Sequence, residues 1–125
     1  MQKQTVQYMQ LSFNQNYSQL DQVINLVKVH GNWCGPNWTD GRKIDALTYK
    51  QQGGDFQGRC IDKLDCACRA HDKDCANTKG CSSRADRKLV QTALLVSLRT
   101  RNAALSAKAK LIASGIAAAS LTRSR

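Results

Sequence analysis

The sequence predicts a mainly α-helical domain: two long antiparallel helices linked by disulfides, a glycine-containing loop ahead of them, and a short N-terminal element. Three observations carry that prediction. Leu64, Cys68, His71 and Cys75 recur at i, i+4, i+7 and i+11, one inward stripe of a helix running from about Asp62 to about Asn77. A second stripe, Asp86, Leu89 or Val90, Ala93 and Val96, follows a capping serine at Ser83 after the short loop NTKGCSSRA, which makes the two helices neighbours. Six cysteines, at 34, 60, 66, 68, 75 and 81, fall within 48 positions, and an even number in a small basic chain favours cross-links and an oxidising destination.

At 125 residues the chain is long enough for one domain with a modest core. Residues 1–20 are polar and rich in Gln and Asn; they read as a flexible arm ahead of a domain spanning 21–120, and they lack the apolar stretch of a secretory signal. The pattern VINLVKV within 21–29 suits a short helix or strand that packs on the core. A turn-rich loop follows, HGNWCGPNWTDGRK, with three glycines and the only proline. Residues 45–59 carry no decisive pattern, and QQGGDFQGR reads as loop. Asp62 can cap the first long helix. The second is expected to continue through Ala103, Ala107 and Leu111 and to weaken at Gly115, leaving 121–125 as a fraying basic tail. No segment approaches the ~20 consecutive apolar residues that span a bilayer.

The formal charge of +10 is unevenly placed. Residues 84–125 hold nine Lys or Arg and one acid, Asp86, a net +8, and every acid in the chain is Asp. Such a basic half favours an anionic partner, a lipid surface or a nucleic acid; a solvated helix face plus a tail has the same composition. Nucleic-acid motifs are missing and aromatics are sparse where bases would stack, so no specific nucleic-acid partner is expected.

The His71–Asp72 pair is the most informative feature. Histidine takes a proton near neutral pH and a carboxylate holds a hard cation; on a helix the two side chains diverge from neighbouring points. Antiparallel packing would bring His71 and Asp86 into one seam, where a buried acid fixes the tautomer of the imidazole and stabilises its protonated form. Asp86 is also simply a carboxylate in the first turn of a helix, favoured there by the dipole. Carbonyls from the tight loop 31–41 are good ligands for a hard divalent ion, and one helix carboxylate would complete the protein's share of a calcium shell. A Cys34–Cys68 disulfide can hold that loop against Asp72. Cys66, Cys68, His71 and Cys75 also fall close together as a zinc set. Positions 66 and 68 point to opposite sides of a helix, however, and paired CxxC knuckles are absent.

Two motifs, WCGPNW at 33–38 and DCACRAHDKDC at 65–75, together resemble the secreted phospholipase A2 superfamily, closest in style to the insect-venom type and the short viral and bacterial members. The helix matches the family's D-x-x-C-x-x-H-D pattern through Asp65, Cys68, His71 and Asp72. The resemblance covers roughly residues 30–96. It implies that His71 is the general base that activates water against the sn-2 ester of a glycerophospholipid, and that Asp86 orients it. It also implies that the carbonyls of Trp33, Gly35 and Asn37, with the Asp72 carboxylate, hold Ca²⁺. The expected partner is an anionic phospholipid surface, and the expected location is outside the cell or within a larger or viral particle. The family places glycine where this chain has Asn37, because the loop there can require positive φ, which asparagine tolerates best among the other residues. Many relatives place a tyrosine one turn after the histidine to bond the supporting aspartate; positions 74 and 75 are Asp and Cys here, which leaves Tyr49 or Tyr17 as candidates. Proximity suggests Cys60–Cys66 and Cys75–Cys81 as the remaining disulfides.

Other residues carry two readings each. Trp33 and Trp38 suit either a lipid interface or loop packing. Residues 103–122, alanine-rich with Lys108 and Lys110, suit either an amphipathic membrane-surface helix or a solvated one. Arg69 and Lys73 flank the first long helix, where they either contact phosphates or stay solvated.

Overall fold

The computed structural model describes residues 28–78 and 80–123. The expected arm at 1–20, most of the element at 21–29, Tyr17 and the last two residues of the tail lie outside the described residues. Within them the chain is all-α: α1 (Ala46–Gln51), α2 (Lys63–Asn77), α3 (Ser83–Arg99) and α4 (Ala103–Thr122). No strand occurs among the described residues, and extended pairing is limited to the isolated bridges His30–Cys34 and Thr39–Arg42.

Each helix starts at a short polar side chain that accepts a backbone N–H left free by the helix itself. Asp45 accepts from Thr48 at 2.7 Å, Asp62 from Asp65 at 2.9 Å, Ser82 from Ala85 at 3.0 Å, and Asn102 from Leu105 at 3.0 Å. The expected first long helix is thus present with its cap. The second begins at Ser83, within the expected start, but its cap is Ser82 and not Ser83, because Asp74 at the end of α2 accepts both the Ser82 N–H and its hydroxyl at 3.0 Å. That bracket couples the stop of α2 to the start of α3.

The expectation of one helix running from about 84 through 111 is corrected: α3 ends at Arg99 and α4 starts at Ala103. Thr100 and Asn102 offer local side-chain partners that compete with the helix ladder. The Thr100 hydroxyl accepts from Asn102 N–H at 3.1 Å, while Asn102 turns to cap α4. The chain then folds back. Ser106 donates to the Ser97 carbonyl at 2.9 Å near the turn, and Arg123, just beyond α4, reaches Asp86 in the first turn of α3. Ala93, Ala109, Ile112 and Ala113 form the buried seam, where small side chains let the two backbones approach. Gly115 does not end α4. Its cost of roughly 1 kcal/mol is outweighed by packing of Ile116 and by the Arg123 anchor beyond it.

By length and composition α4 is apolar enough to cross a membrane, nearer that mark than a search for unbroken apolar runs suggests. It is not strongly amphipathic: Ile112 and Ala109 are buried while Leu111 and Leu121 stand exposed.

A second core centre lies between the loop and α2. Trp33, Tyr49 and Phe56 pack with ring centroids 4.9–6.0 Å apart, over Leu64 and the Cys34–Cys68 disulfide. Cys60–Cys66 and Cys75–Cys81 complete the cross-links, and no described cysteine is free.

Candidate functional site

The loop at 29–42 is held to the start of α2 by a buried acid. Asp65, fully shielded from solvent, accepts the backbone N–H groups of Asn32, Trp33 and Ile61 at 2.9–3.1 Å. Gly31 permits this. It sits at φ +62°, and a Cβ there would lie 2.3 Å from the Asp65 carboxyl carbon. His30 Nε2 adds a 2.7 Å contact to Asp62, and Cys34–Cys68 adds a covalent tie. Both indoles serve the loop: Trp33 is buried and donates to the Arg59 carbonyl at 2.8 Å, and Trp38 donates to the Gly31 carbonyl at 2.9 Å. Of the two readings for the tryptophans, loop packing is the one observed for Trp33, while Trp38 stays partly exposed.

Carbonyls along this loop divide into two sets. Those of His30, Gly31, Asn32 and Cys34 accept hydrogen bonds. Those of Trp33, Gly35 and Asn37 accept none among the described residues, a state they share with Pro36, Trp38 and Asp40. Asn37 adopts φ +54°, so it occupies the left-handed region in which glycine would be unstrained.

Asp72 shares a helix face with Asp65 and Cys68, the face toward the loop. Its Oδ2 is buried with no hydrogen-bond partner among the described residues. Burial, reinforced by the Asp65 charge, pushes this carboxyl well above its ordinary range. It lacks a counter-charge among the described residues.

His71, one position earlier, faces α3. Its Nε2 lies 2.7 Å from Asp86 Oδ1, with His71 7% and Asp86 1% exposed. Arg123 donates to the same oxygen. Burial alone would raise the Asp86 carboxyl, but the hydrogen bonds from Arg123 and His71 outweigh it and hold it below the usual value. The other imidazole nitrogen, Nδ1, lies 3.6 Å from Cys75 Sγ. A cleft of about 360 Å³ between α2 and α3 opens on His71, with Asp74, Ser82, Arg84 and Lys88 along its walls.

The structure therefore brings His71 and Asp86 together, and it sets Asp72 on the helix face to which the loop carrying Trp33, Gly35 and Asn37 is tied. It does not give Tyr49 the role of Asp86 partner. That phenol donates to Asp40 at 3.0 Å inside the aromatic cluster, where burial and the Asp40 carboxylate raise it. Nor does it form the zinc set of Cys66, Cys68, His71 and Cys75, since Cys66 and Cys68 are bonded to Cys60 and Cys34. Arg69 is used locally, donating to the Gly58 carbonyl at 2.7 Å.

Two residues of the site were not singled out by sequence reasoning. Arg123 looked like part of a fraying tail. The available signal was a buried Asp86 in need of a cation, together with a 20-residue stretch, about 30 Å as a helix, able to return along α3. Asp65 was only a letter in a motif, and its loop-clamping role needed the fold. No family model, curated protein or solved structure matches this chain.

Proposed function

We propose that this chain is a calcium-dependent phospholipase A2 that hydrolyses the sn-2 ester of glycerophospholipids with a histidine-activated water. The observation that carries the reading is the buried 2.7 Å contact between His71 Nε2 and Asp86 Oδ1 beside an open cleft. In this reading α2 and α3 are the antiparallel pair that carries the site, and loop 31–41 is the calcium loop.

The donor set suits Ca²⁺. Among the described residues Asp72 offers a buried carboxylate oxygen with no partner, and the carbonyls of Trp33, Gly35 and Asn37 accept no hydrogen bond; all are hard oxygen ligands. When bound, the ion supplies positive charge for the substrate phosphate and for the oxygen of the ester carbonyl. The remaining work falls to side chains. With Nε2–H donated to Asp86, His71 presents Nδ1 as a lone pair, which takes a proton from water in the cleft. The water oxygen bonds to the ester carbon, and the Asp86 carboxylate stabilises the imidazolium that results. When the acyl–oxygen bond breaks, His71 returns the proton to the departing alkoxide, releasing a fatty acid and a lysophospholipid. No covalent enzyme intermediate is involved. Arg84 and Lys88 at the cleft suit an anionic lipid surface, and three disulfides suit an extracellular setting or delivery in a larger or viral particle.

A second reading, a catalytically silent relative that binds membranes or a protein through the same scaffold, is favoured by Asn37 standing in a left-handed position. Mixed phospholipid vesicles separate the two. Fatty-acid release that stops with chelator and with His71→Gln supports the enzyme. Vesicle binding without release or calcium uptake supports the silent relative.

A further inference from the structure

A soft-metal corner sits against the His71 ring, whose Nε2 also meets Asp86. His71, Cys75 and Cys81 each place one ligand atom so that all lie within 4.8 Å of one another. At present the two sulfurs are bonded together, and a disulfide is no zinc ligand. We propose that reduction of Cys75–Cys81 converts this corner into a Zn²⁺ site that captures the catalytic base.

The chemistry balances simply. Two equivalents of a small thiol are oxidised to their own disulfide, and Cys75 and Cys81 become thiols. On binding Zn²⁺ both lose their protons to solvent and ligate as thiolates, with His71 Nδ1 as the third ligand. Four features of the structure fit. Cys75 Sγ already lies against the imidazole, 3.6 Å from Nδ1 and 3.9 Å from Nε2. Nε2 is held by Asp86 at 2.7 Å, the carboxylate–histidine arrangement that fixes the tautomer of a metal-bound imidazole. Two thiolates cancel the charge of the ion, so the neutral assembly tolerates Arg84 and Lys88 nearby. Gly80, at φ +139° with open space around it, lets the loop relax as the sulfurs separate to flank an ion. Thiolates select zinc over calcium, so this site is chemically distinct from the oxygen set at Asp72.

The consequence rests on the hydrolytic reading; the metal binding does not. With Nδ1 committed to zinc, His71 has no lone pair for the substrate water, so the chain would be silent where thiols and zinc prevail and active where the disulfide is closed.

The test titrates the full chain with Zn²⁺, oxidised and thiol-reduced, against a chromophoric chelator. Reduced protein is expected to bind one equivalent that a Cys75→Ser/Cys81→Ser variant does not, that variant measuring any share of the other four cysteines. His71→Gln, which leaves every disulfide in place, should weaken binding at least ~10-fold, and Asp86→Asn roughly 10–100-fold. Co²⁺ substitution should give a thiolate charge-transfer band in the wild type alone. Reduced wild type that holds no more zinc than the double variant, or His71→Gln that binds as tightly as wild type, overturns the proposal. On vesicles with calcium in excess, reduced zinc-loaded protein should lose fatty-acid release and regain it with a zinc-selective chelator; undiminished release with zinc bound overturns the capture of the base. If the oxidised protein releases no fatty acid while zinc still binds, the phospholipase reading fails and the zinc site stands.

Discussion

Asp72 and Asp86 each have a buried carboxylate oxygen without a hydrogen-bond partner among the described residues, yet their acidities move in opposite directions. Asp86 has a histidine on one side and the Arg123 guanidinium on the other, so it stays ionised despite burial. Among the described residues Asp72 has only another acid, Asp65, for a charged neighbour, so burial drives it toward its neutral form. The difference teaches where each counter-charge comes from. For Asp86 the chain supplies it from the end of α4, whereas Asp72 is arranged as if the cation arrives from outside.

The largest expected effect is on chemistry. His71→Gln removes the proton acceptor of the Asp86 side and should lower vesicle hydrolysis by about 10²–10⁴-fold while leaving calcium uptake intact. Hydrolysis within threefold of wild type would break the assignment of the two sides to two roles.

Next comes Arg123→Gln, which strands the Asp86 charge and should destabilise the fold by about 1–3 kcal/mol, measured by urea unfolding at neutral pH. Because folding lowers the Asp86 value, its contribution is full above the ordinary carboxylate range and is lost as pH falls through the lowered folded value. The variant should therefore show a shallower loss of stability on acidification. An unchanged acid limb would mean that Arg123 does not sustain the charge.

Asp72→Asn is expected to act in the opposite sense. A raised carboxyl contributes its stability at low pH and loses it as pH rises from the ordinary range through the raised value. Without calcium at neutral pH the amide should therefore stabilise the protein by on the order of 1 kcal/mol, a few degrees in Tm. With millimolar calcium the wild type should gain stability by mass action and the variant should not. A variant that still gains stability with calcium would remove Asp72 from the ion's ligands.

The smallest effect belongs to Asn37→Gly. Relief of a left-handed non-glycine residue is worth about 1 kcal/mol, so calcium affinity should tighten by no more than ~5-fold in calorimetry. A much larger change would mean that the loop of the wild type is not built for the ion and would favour the silent relative.

Much of this was legible in the sequence because the signals are local. Asp62 and the 64–75 stripe marked α2, a serine marked α3 within one residue, and short separations suggested the two small disulfides. Positive φ at Asn37 was suggested by the glycine that the resembled family carries there, and asparagine tolerates that region. The break at 100–102 was hidden because alanine and leucine keep a helical pattern on both sides of it, and only the competing bonds of Thr100 and Asn102 decide the turn. Arg123 was hidden for a different reason: its partner lies 37 positions away, and no period or motif reports such a contact.

That distance also has an order in time. During synthesis His71 and Asp86 leave the ribosome well before Arg123, so the acid of the pair spends that interval without its cation. The hairpin of α3 and α4 must close before Asp86 is neutralised in its buried position. Folding of the His71–Asp86 corner is therefore tied to the residue that follows α4, and a fusion or truncation near residue 123 should delay maturation of a site whose other parts lie far upstream.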